Sequence, residues 1–453
     1  MRRVVKVSRI RIIITIIVVV LTTLLTGCTG KEPNEIAYVV ALGIDSTDDD
    51  NYKITIQYAN TTQISGGASE SGGKAGSEIV DNVTIEAPNI YAGVGLANNI
   101  VSKSFSMSHA KLIVFSKEIA EKGVKDMIET LVRSEEIRPD VFIAVANTTA
   151  NDYLTSVNPE MEVNPAQYYQ LIYQKNQLVG IPDGQLREFF TGLYTDNYDS
   201  ILPVAGVIDG AGGNSQNDDK GQSKDSQNEG SEGSSESLDS FESKNSDENE
   251  KEKDAEKNTS KYEYDIKNYV GGETAIEKKN KAEAIGAAVF EKDKMVGELG
   301  EVETEICKML KGDYTYSYLT YYNNDTPDIP ITVKTTQQKK PKYKIDTDKK
   351  TVDIELYIES DLYSLPADYN VENKIEDFER DVANYTSSAC TEFINNFTKK
   401  YNSDILKLNE KVKYKFLTNN QYNWFKKNVG WSEYKFSVCT DFKVRRTGLI
   451  VRE

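Results

Sequence analysis

A stretch of fifty residues, 211–260, constrains the fold most, because it separates two parts of the chain whose composition allows a core. The stretch is nearly all Ser, Asn, Asp, Glu, Gly, Lys and Gln, and its few apolar residues are Ala211, Leu238, Phe241 and Ala255. Such a segment cannot bury enough apolar surface to offset the entropy that is lost on ordering. We therefore predict a disordered acidic insertion at 211–260, with a charged interaction tail as the alternative, between an N-terminal part at 28–210 and a C-terminal part at 261–453.

The N-terminus has the composition of an export signal. Five cations and no acid precede an apolar run over residues 12–25, which is too short to cross a bilayer comfortably and is typical of a signal peptide. The run closes on Leu25-Thr26-Gly27-Cys28, which resembles the lipobox of bacterial lipoproteins. We predict that residues 1–27 are a lipoprotein signal peptide and that Cys28 is the lipidation site. An ordinary signal peptide or anchor with an incidental Cys28 is the alternative.

The charge of the chain restricts its partners. The formal net charge is −17, and it is near −22 without the five cations of the leader. A chain this acidic lacks the basic surface that nucleic acid requires, so we expect no nucleic-acid partner. The same charge predicts no electrostatic attraction to anionic lipid head groups. We therefore expect attachment to the membrane through the lipid on Cys28, since two or more acyl chains anchor a protein stably.

The cysteines and the single histidine restrict metal and catalytic chemistry. Besides Cys28 the chain has Cys307, Cys390 and Cys439, with no CxxC pair and no Cys/His cluster, so we expect no zinc site. Cys390 lies in an apolar helical pattern and is predicted to be a core residue. His109 excludes multi-histidine metal sites because it stands alone. We predict that it has a structural role at a helix–strand junction, with a partner contact or pH sensing as the alternative.

Hydrophobic periodicity predicts strands and helices in alternation in the N-terminal part. We expect a β-hairpin over 35–60, strands over 78–86, 110–116 and 140–147, and helices over 89–104, 118–132, 165–178 and 185–194. This alternation indicates an α/β domain.

The C-terminal part has the pattern of an α+β domain. We predict paired strands over 284–299, a helix over 301–310, three strands between 328 and 360, and a last strand over 434–444. A 3.6-residue period through Phe378, Val382, Tyr385, Ala389 and Phe393 predicts one long helix over 371–401 that packs on the sheet. Glu379 is expected on the opposite face of that helix. The spacing of seven residues allows Trp424 and Trp431 to lie on one helical face, and we expect core or interdomain packing for them rather than stacking on a ligand. The predicted fold class is α+β (mixed α/β) and multi-domain, each domain a β-sheet flanked by helices.

Motifs for catalysis or cofactor binding are incomplete in this sequence. Gly73-Lys74 lacks the preceding glycine of a phosphate loop and is followed by Ala75 instead of Ser or Thr. The stretch "GVGLAN" ends at Asn98, where a dinucleotide-binding turn needs glycine or alanine. The acidic turn 45–51 lacks the glycine and the glutamate of a calcium loop. We therefore predict a protein that is not an enzyme and that has no cofactor and no metal.

Several sequence stretches occur in a fixed order behind Cys28. They are "NEIAYVVALGID", "SMSHAKLIVFSKEIAEKGV", "RSEEIRPDVFIAVA", "GAAVFEKDKMVGEL" and a terminal pattern of two tryptophans that ends in "FKVRRTGLI". Together they resemble the Ger(x)C family, the lipoprotein C subunits of spore germinant receptors. The resemblance runs from Cys28 to the C-terminus, apart from 211–260.

The resemblance implies a function and a location. It implies a lipoprotein on the outer face of the spore inner membrane, in complex with an A-type and a permease-like B-type integral-membrane subunit. It also implies three α/β domains of a family-specific fold and no catalytic activity. We expect a lipid-anchored, non-enzymatic subunit of a nutrient germinant receptor that supports receptor assembly and germination signalling.

Two other functions stay open from the sequence. An extracytoplasmic lipoprotein that binds a nutrient itself would need a concave pocket with a few convergent polar groups. An enzyme that acts on the cell wall would need carboxylates with perturbed pKa values in a cleft.

Overall fold

The computed structural model describes residues 13–18, 35–49, 51–59, 80–159, 162, 164–174, 180–195, 197–208, 268–274, 280–323, 326–364, 374–401 and 403–446. Cys28 and the predicted insertion at 211–260 lie outside these residues. Residues 13–18 of the leader are helical. None of the helices in the described ranges combines the length and the apolar run that crossing a membrane requires.

Between the leader and the predicted insertion there are seven described strands and six described helices. The strands are β1 (Ile36–Ser46), β2 (Tyr52–Ala59), β3 (Val80–Ala87), β4 (Ser104–Ser106), β5 (Leu112–Ser116), β6 (Phe142–Ala146) and β7 (Ile201–Val207). The helices are α1 (Ile90–Ala97), α2 (Lys117–Lys122), α3 (Lys125–Val132), α4 (Ala150–Ser156), α5 (Pro165–Gln174) and α6 (Leu186–Thr195). The predicted alternation of strand and helix is confirmed.

The rest of the chain adds seven described strands and four described α-helices. The strands are β8 (Ala282–Glu291), β9 (Lys294–Leu299), β10 (Tyr316–Asn323), β11 (Thr326–Thr336), β12 (Lys342–Asp346), β13 (Thr351–Ser364) and β14 (Lys435–Arg446). The helices are α7 (Glu301–Lys311), α8 (Ile375–Lys400), α9 (Leu408–Val412) and α10 (Asn419–Asn428), with short 3₁₀ turns at Lys413–Lys415 and Trp431–Glu433.

The first sheet has a parallel centre. Its order is β3-β2-β1-β5-β6-β7-β8-β9, and β4 pairs with the first residues of β1. The predicted hairpin is confirmed, since β1 and β2 are antiparallel with Ile44 opposite Ile54. β1, β5, β6 and β7 run parallel to one another. These strands are apolar on both faces because α1, α2, α3 and α6 cover one face and α4 and α5 cover the other.

Two strands of the first sheet follow the predicted insertion in sequence. β7 pairs antiparallel with β8, with Val207 opposite Ala282, and the N–H of Ile208 donates to the Lys281 carbonyl at 2.8 Å. β9 then forms the edge of the sheet. The two ends of the segment 208–281 therefore meet at one end of a hairpin. The division between the two sheets falls after Leu299 and not within 211–260.

The predicted helix over 118–132 consists of two helices. Gly123 adopts a φ of +122°, which ends α2, and the N–H of Val124 then donates to the Asp293 carbonyl of the β8–β9 turn at 3.0 Å. Helices α2 and α3 follow each other closely, so their combined apolar face has the period of one helix. The apolar pattern could not reveal the break.

The second sheet is built around β13. Its order is β10-β11-β13-β12, and β14 pairs with β13 in parallel. β14 pairs along one side of β13, while β12 and β11 pair with the first and last residues of the other side. The implied count of three domains is not visible as three sheets, because the described strands form two sheets. The predicted fold class, mixed α+β and multi-domain, is confirmed.

Helix α8 packs on this sheet as its periodicity predicts. Phe378, Val382, Tyr385, Ala389 and Phe393 are all buried. Three side chains of α8, each four residues from the next, accept hydrogen bonds from backbone N–H groups of β14 that are two residues apart. Ser387 accepts from Thr440, Thr391 from Val438 and Asn395 from Phe436. The expectation that Glu379 lies on an opposite, solvent-facing side is wrong. Its carboxylate accepts from the Val444 N–H and the Lys443 ammonium, each at 2.8 Å.

Candidate functional site

A cleft of about 630 Å³ lies where the first sheet meets α7 and the segment before α9. Six charged side chains line it, three carboxylates and three ammonium groups: Asp183, Glu188, Asp313, Lys308, Lys311 and Lys407. Phe142, Tyr173, Ile181 and Ile201 supply its apolar lining. Among the described parts of the chain, this cleft comes nearest to a pocket with convergent polar groups.

The wall on the first-sheet side is a loop fixed to the start of β6. The N–H of Ile143 donates to the Gly184 carbonyl at 2.7 Å, and the N–H of Leu186 donates to the Val141 carbonyl at 2.9 Å. Gly184 is required here because a Cβ atom would collide with the Ile143 carbonyl and the Pro203 ring. This pinning sets Asp183 at the mouth of the cleft and Glu188 in the first turn of α6.

The opposite wall is the C-terminal end of α7. Gly312 ends the helix with a φ of +83°, and its N–H donates to the Lys308 carbonyl at 2.9 Å. Lys308 is buried and its ammonium donates to the Ile181 carbonyl at 2.9 Å, across the two walls. The pKa of Lys308 is lowered to about 8, chiefly by burial; the charge of Asp313 opposes this shift and that of Lys311 adds to it. Lys308 thus joins α7 to the first-sheet wall at the floor of the cleft.

Lys407 closes the cleft from the C-terminal segment. It has a φ of +57°, its ammonium pairs with Glu188 at 2.6 Å, and the same ammonium lies 4.2 Å from the centre of the Tyr198 ring. The buried carboxylate of Asp404 holds the next turn, because it accepts from the N–H groups of Leu408 and Asn409 at 2.8 Å each. The Glu188–Lys407 pair therefore connects α6 to the start of α9.

Two acidic residues, Asp199 and Asp404, fix the same junction between α6 and the segment before α9. The carboxylate of Asp199 accepts from the N–H groups of Asp404 and Lys292, at 2.9 and 2.8 Å. The N–H of Asp199 donates back to the Asp404 carbonyl at 3.2 Å. Burial raises the pKa of Asp199, and it raises the pKa of Asp404 to about 7 against the opposing effect of its backbone bonds. The junction thus depends on two carboxyl groups, Asp404, which is buried, and Asp199, which is half-buried.

The charges of the cleft nearly balance. Lys311 lies 3.7 Å from Asp313, and Lys407 neutralises Glu188. Asp183 is exposed at the mouth, yet the surrounding protein raises its pKa by partial desolvation, with the Glu188 charge as the second cause. Four of the six charges of the cleft are therefore paired with one another. The described residues contain no cluster of His, Cys, Asp or Glu that could hold a metal ion.

The residues that the sequence analysis singled out are dispersed and lie outside this cleft. Cys28 lies outside the described residues. Cys307 and Cys390 are buried, and burial raises the pKa of each thiol to about 12, so the core role predicted for Cys390 is confirmed. Cys439 is exposed on β14. His109 is exposed in the turn between β4 and β5, not at the predicted helix–strand junction, and its ring packs edge-on against Tyr38 with the centroids 4.9 Å apart.

The two tryptophans do not share a helical face. Trp431 is buried in a 3₁₀ turn and packs against Tyr434, with the ring centroids 4.7 Å apart, as predicted for a core residue. Trp424 lies in α10 and is 69% exposed, so the prediction of core packing is wrong for Trp424. The spacing of seven residues predicted a shared helical face, but α10 ends at Asn428, so Trp431 lies outside the helix.

The cleft itself is not apparent from the sequence. Asp183 and Asp313 lie in two turn signals, Pro182-Asp183-Gly184 and Gly312-Asp313, which could be found from the sequence alone. That these turns face each other depends on the return of β8 and β9 to the first sheet. Local patterns do not reveal such long-range pairing.

Comparison with known proteins decides the family. The family model described as "Spore germination protein N-terminal domain" matches residues 30–207, and the one described as "Spore germination B3/ GerAC like, C-terminal" matches residues 285–448. The chain belongs to the GerAC-like spore germination family. The resemblance to the Ger(x)C family is thereby confirmed.

Individual members of the GerAC-like family are distant relatives. Spore germination protein KC of Bacillus subtilis is 26% identical over 174 residues, which cover 35% of this chain and 42% of the relative. Spore germination protein B3 of the same organism is 26% identical over 148 residues, 30% of this chain and 36% of the relative. The chain thus spans less than half the length of these relatives. The crystal structure of the GerBC protein superimposes with a TM-score of 0.48 at 15% identity, over 89% of this chain and 96% of that one.

Proposed function

We propose that this GerAC-like chain is a lipid-anchored, non-enzymatic subunit of a spore nutrient germinant receptor. It is attached through Cys28 to the outer face of the spore inner membrane, and it assembles there with A-type and B-type integral-membrane subunits. The observation that carries the proposal is the match of both family regions, 30–207 and 285–448, directly behind a lipobox-like leader. Its role is to support receptor assembly and germination signalling.

The lipid anchor is the part of this proposal that a single substitution tests. Cys28→Ala removes the thiol that would carry the acyl chains, and we expect the protein to leave the membrane fraction of spores and nutrient germination to slow or stop. Cys439→Ala is the matched control, because this thiol is exposed and distant in sequence. Normal membrane fractionation of Cys28→Ala protein, with normal germination, would contradict the proposal.

Assembly with membrane partners is tested separately. We expect the A-type and B-type subunits to co-purify with the affinity-tagged chain from detergent-solubilised spore membranes. Spores that lack this chain should contain less of both subunits. If neither subunit co-purifies and both keep their normal amounts, the role in assembly is wrong even where the anchor is correct.

The cleft favours a second candidate, a lipoprotein that binds a small nutrient itself. A free amino acid could exchange its two charges with those of the Glu188–Lys407 and Lys311–Asp313 pairs that line the cleft. Addition of free amino acids should then raise the melting temperature of the purified chain. Asp183→Asn and Lys311→Gln should abolish this rise, and Lys125→Gln, at an exposed position of α3 outside the cleft lining, should not. A melting temperature that no amino acid changes leaves the first proposal standing and removes this one.

The cleft gives less support to an enzyme that acts on the cell wall. Glycoside hydrolysis uses two carboxyl groups with different protonation states. Asp183 has a raised pKa, but the second acid of the same wall, Glu188, is paired with Lys407 at 2.6 Å. A carboxylate held in an ion pair is a poor base or nucleophile.

A further inference from the structure

Three large apolar side chains project from the segment that links α9 to the end of α10. Leu417 is 95% exposed, Tyr414 is 78% exposed and Trp424 is 69% exposed. Lys413 and Lys427 are exposed beside them. We call these five residues the basic–aromatic patch. Leu417 is the most exposed of the large apolar residues that the structure describes.

The patch rests on a well-packed support. Tyr422 and Phe425 form the inner face of α10, and the Tyr422 hydroxyl oxygen lies 3.1 Å from both Asn197 Oδ1 and the Asn409 carbonyl, the two acceptors for its one proton. The Lys426 ammonium donates to the Thr195 carbonyl at 2.9 Å. Because these contacts fix the inner face, Trp424 and Lys427 are held outward. Their exposure follows from the packing of α10.

The charge of this segment is opposite to that of the chain. Residues 407–428 contain six lysines and one glutamate, in a chain whose net charge is −17. Lys407 forms an ion pair with Glu188, and the Lys415 ammonium donates to the Ile345 carbonyl. Neighbouring acids on other elements are Asp346 and Glu433, and Glu433 pairs with Lys350. The overall charge predicted no attraction to anionic lipids, whereas this segment is locally basic.

The patch lies at the end of the first sheet where the parallel strands begin. The segment that links Cys28 to β1 joins the sheet at this same end. β1 and β7 run parallel and so begin at the same edge, and the residues just before β7, Thr195 to Asp199, hold α10 and Asp404. Ala41 pairs with the first residue of β5, so β1 starts five residues, or about 16 Å, beyond that edge. The eight residues from Cys28 to Ile36 add a reach of at most about 28 Å.

We propose that the basic–aromatic patch docks on the surface of an anionic phospholipid bilayer. Leu417 and Trp424 enter the interfacial region, and Lys413 and Lys427 lie at the lipid phosphates. Tryptophan, tyrosine and lysine beside an exposed leucine are the residues that bind membrane interfaces, which favours lipid over a protein partner. The inference rests on the proposed anchor only for proximity. With the lipid at Cys28, the patch forms a second membrane contact that orients the two sheets over the bilayer.

Trp424 reports on this docking directly. The sequence contains two tryptophans, so Trp424 is the remaining one in a Trp431→Phe chain. This variant is lipidated and reconstituted in vesicles that contain phosphatidylglycerol. We expect its emission to shift to the blue and to be quenched by brominated lipid. Emission that stays that of exposed tryptophan would overturn the proposal. Protection that appears only when the A-type and B-type subunits are added would also overturn it, because the patch would then bind protein.

A partitioning measurement tests the charge and the apolar residues without the anchor. The chain from residue 28 with Cys28→Ser is mixed with phosphatidylcholine vesicles, with and without phosphatidylglycerol. Each lysine near an anionic surface contributes about fivefold to partitioning. Lys413→Gln with Lys427→Gln should therefore reduce binding about 25-fold, and Leu417→Asn should reduce it on both kinds of vesicle.

Lys294→Gln with Lys340→Gln is the matched control, because both lysines are exposed outside the patch. Equal binding of the patch and control variants would contradict the proposal. Failure of the anchor is a different result, since it appears as loss of Cys28 lipidation while the unlipidated chain still binds vesicles.

Discussion

Asn395 of α8 and Phe436 of β14 exchange two hydrogen bonds. The Asn395 Nδ2 atom donates to the Phe436 carbonyl at 2.9 Å, and the Phe436 N–H donates to Asn395 Oδ1 at 3.1 Å. Four residues of a helix rise about 6 Å and two residues of a strand about 6.6 Å. Because these distances nearly match, Thr391 and Ser387 also reach backbone N–H groups of β14. Helix α8 thus provides hydrogen-bond partners for backbone groups of the edge strand β14, which could otherwise pair with another chain.

Asn395→Ala tests whether α8 protects this edge. Loss of two hydrogen bonds at about 1 kcal/mol each should lower the free energy of unfolding by roughly 2 kcal/mol. The variant should also aggregate more readily, since the backbone of β14 becomes available. Denaturant titration and light scattering measure the two effects. Asn396→Ala, exposed on the same helix, is the control and should leave both unchanged.

The apolar stripe of α8 gives a second prediction. Phe393 is 9% exposed, and its replacement by Asp removes a large core side chain and buries an unpaired charge. The truncation alone costs about 3–5 kcal/mol, and the charge adds to it. Asn396→Asp introduces the same charge three residues away at an exposed position and should cost less than about 0.5 kcal/mol. Equal melting temperatures for the two variants would show that the assigned helix face is wrong.

Glu379 now belongs with the edge contacts. Its carboxylate accepts from the Val444 N–H and the Lys443 ammonium, although the sequence predicted Glu379 on the opposite face of the helix. Glu379→Ala should therefore lower the free energy of unfolding by about 1 kcal/mol. A thermal melt that matches that of Glu392→Ala, an exposed glutamate on the same helix, would contradict this.

Buried acids should make the stability depend on pH. Burial raises the pKa of Asp404 to about 7, as it does for Glu305. In the unfolded chain each acid ionises near pH 4, so the folded state binds the extra proton between about pH 4 and 7. Stability from this source is complete below about pH 4 and is lost as the pH rises through 7.

Asp404→Asn should remove part of that dependence. Asparagine stays neutral, so the fall in unfolding free energy between pH 5 and 7 should shrink by roughly 2 kcal/mol. Denaturant titrations at both pH values give the difference. Asp441→Asn, an exposed site on β14, serves as the comparison and should keep the wild-type slope. An unchanged slope in Asp404→Asn would mean that Asp404 is ionised across this range.

Removal of residues 211–260 is expected to be harmless. Val207 and Ala282 are paired, so a short Gly/Ser linker from Gly210 to Lys261 can close the β7–β8 connection. A connection about three times shorter lowers the closure cost by roughly 1 kcal/mol, and the melting temperature should stay equal or rise slightly. A deletion of 211–274 should instead destabilise, because it removes the bonds of Gly271 to Asn147 and of Thr274 to Glu283.

Local features of this fold were predictable, and contacts between distant segments were not. The stripe around Phe393 and the turn between β8 and β9 follow from periodicity and turn residues close in sequence. Strand β10 was missed because tyrosines occupy both of its faces, which hides the alternation. The cleft was missed because Lys308 and Asp183 are joined only by the tertiary fold. Trp424 was misplaced because an exposed tryptophan has the same spacing as a buried one.

The return of β8 to β7 has a consequence for the newly made chain. Synthesis proceeds from the N-terminus, so β7 exists for the whole time that residues 208–281 are being added, with its outer backbone groups unpaired. At about 5–20 residues per second this interval lasts several seconds. An open strand is then available to other nascent chains. The length of the connection between β7 and β8 therefore sets how long each molecule is exposed to misassembly, and a shorter connection would raise the yield of folded protein even where the final stability is the same.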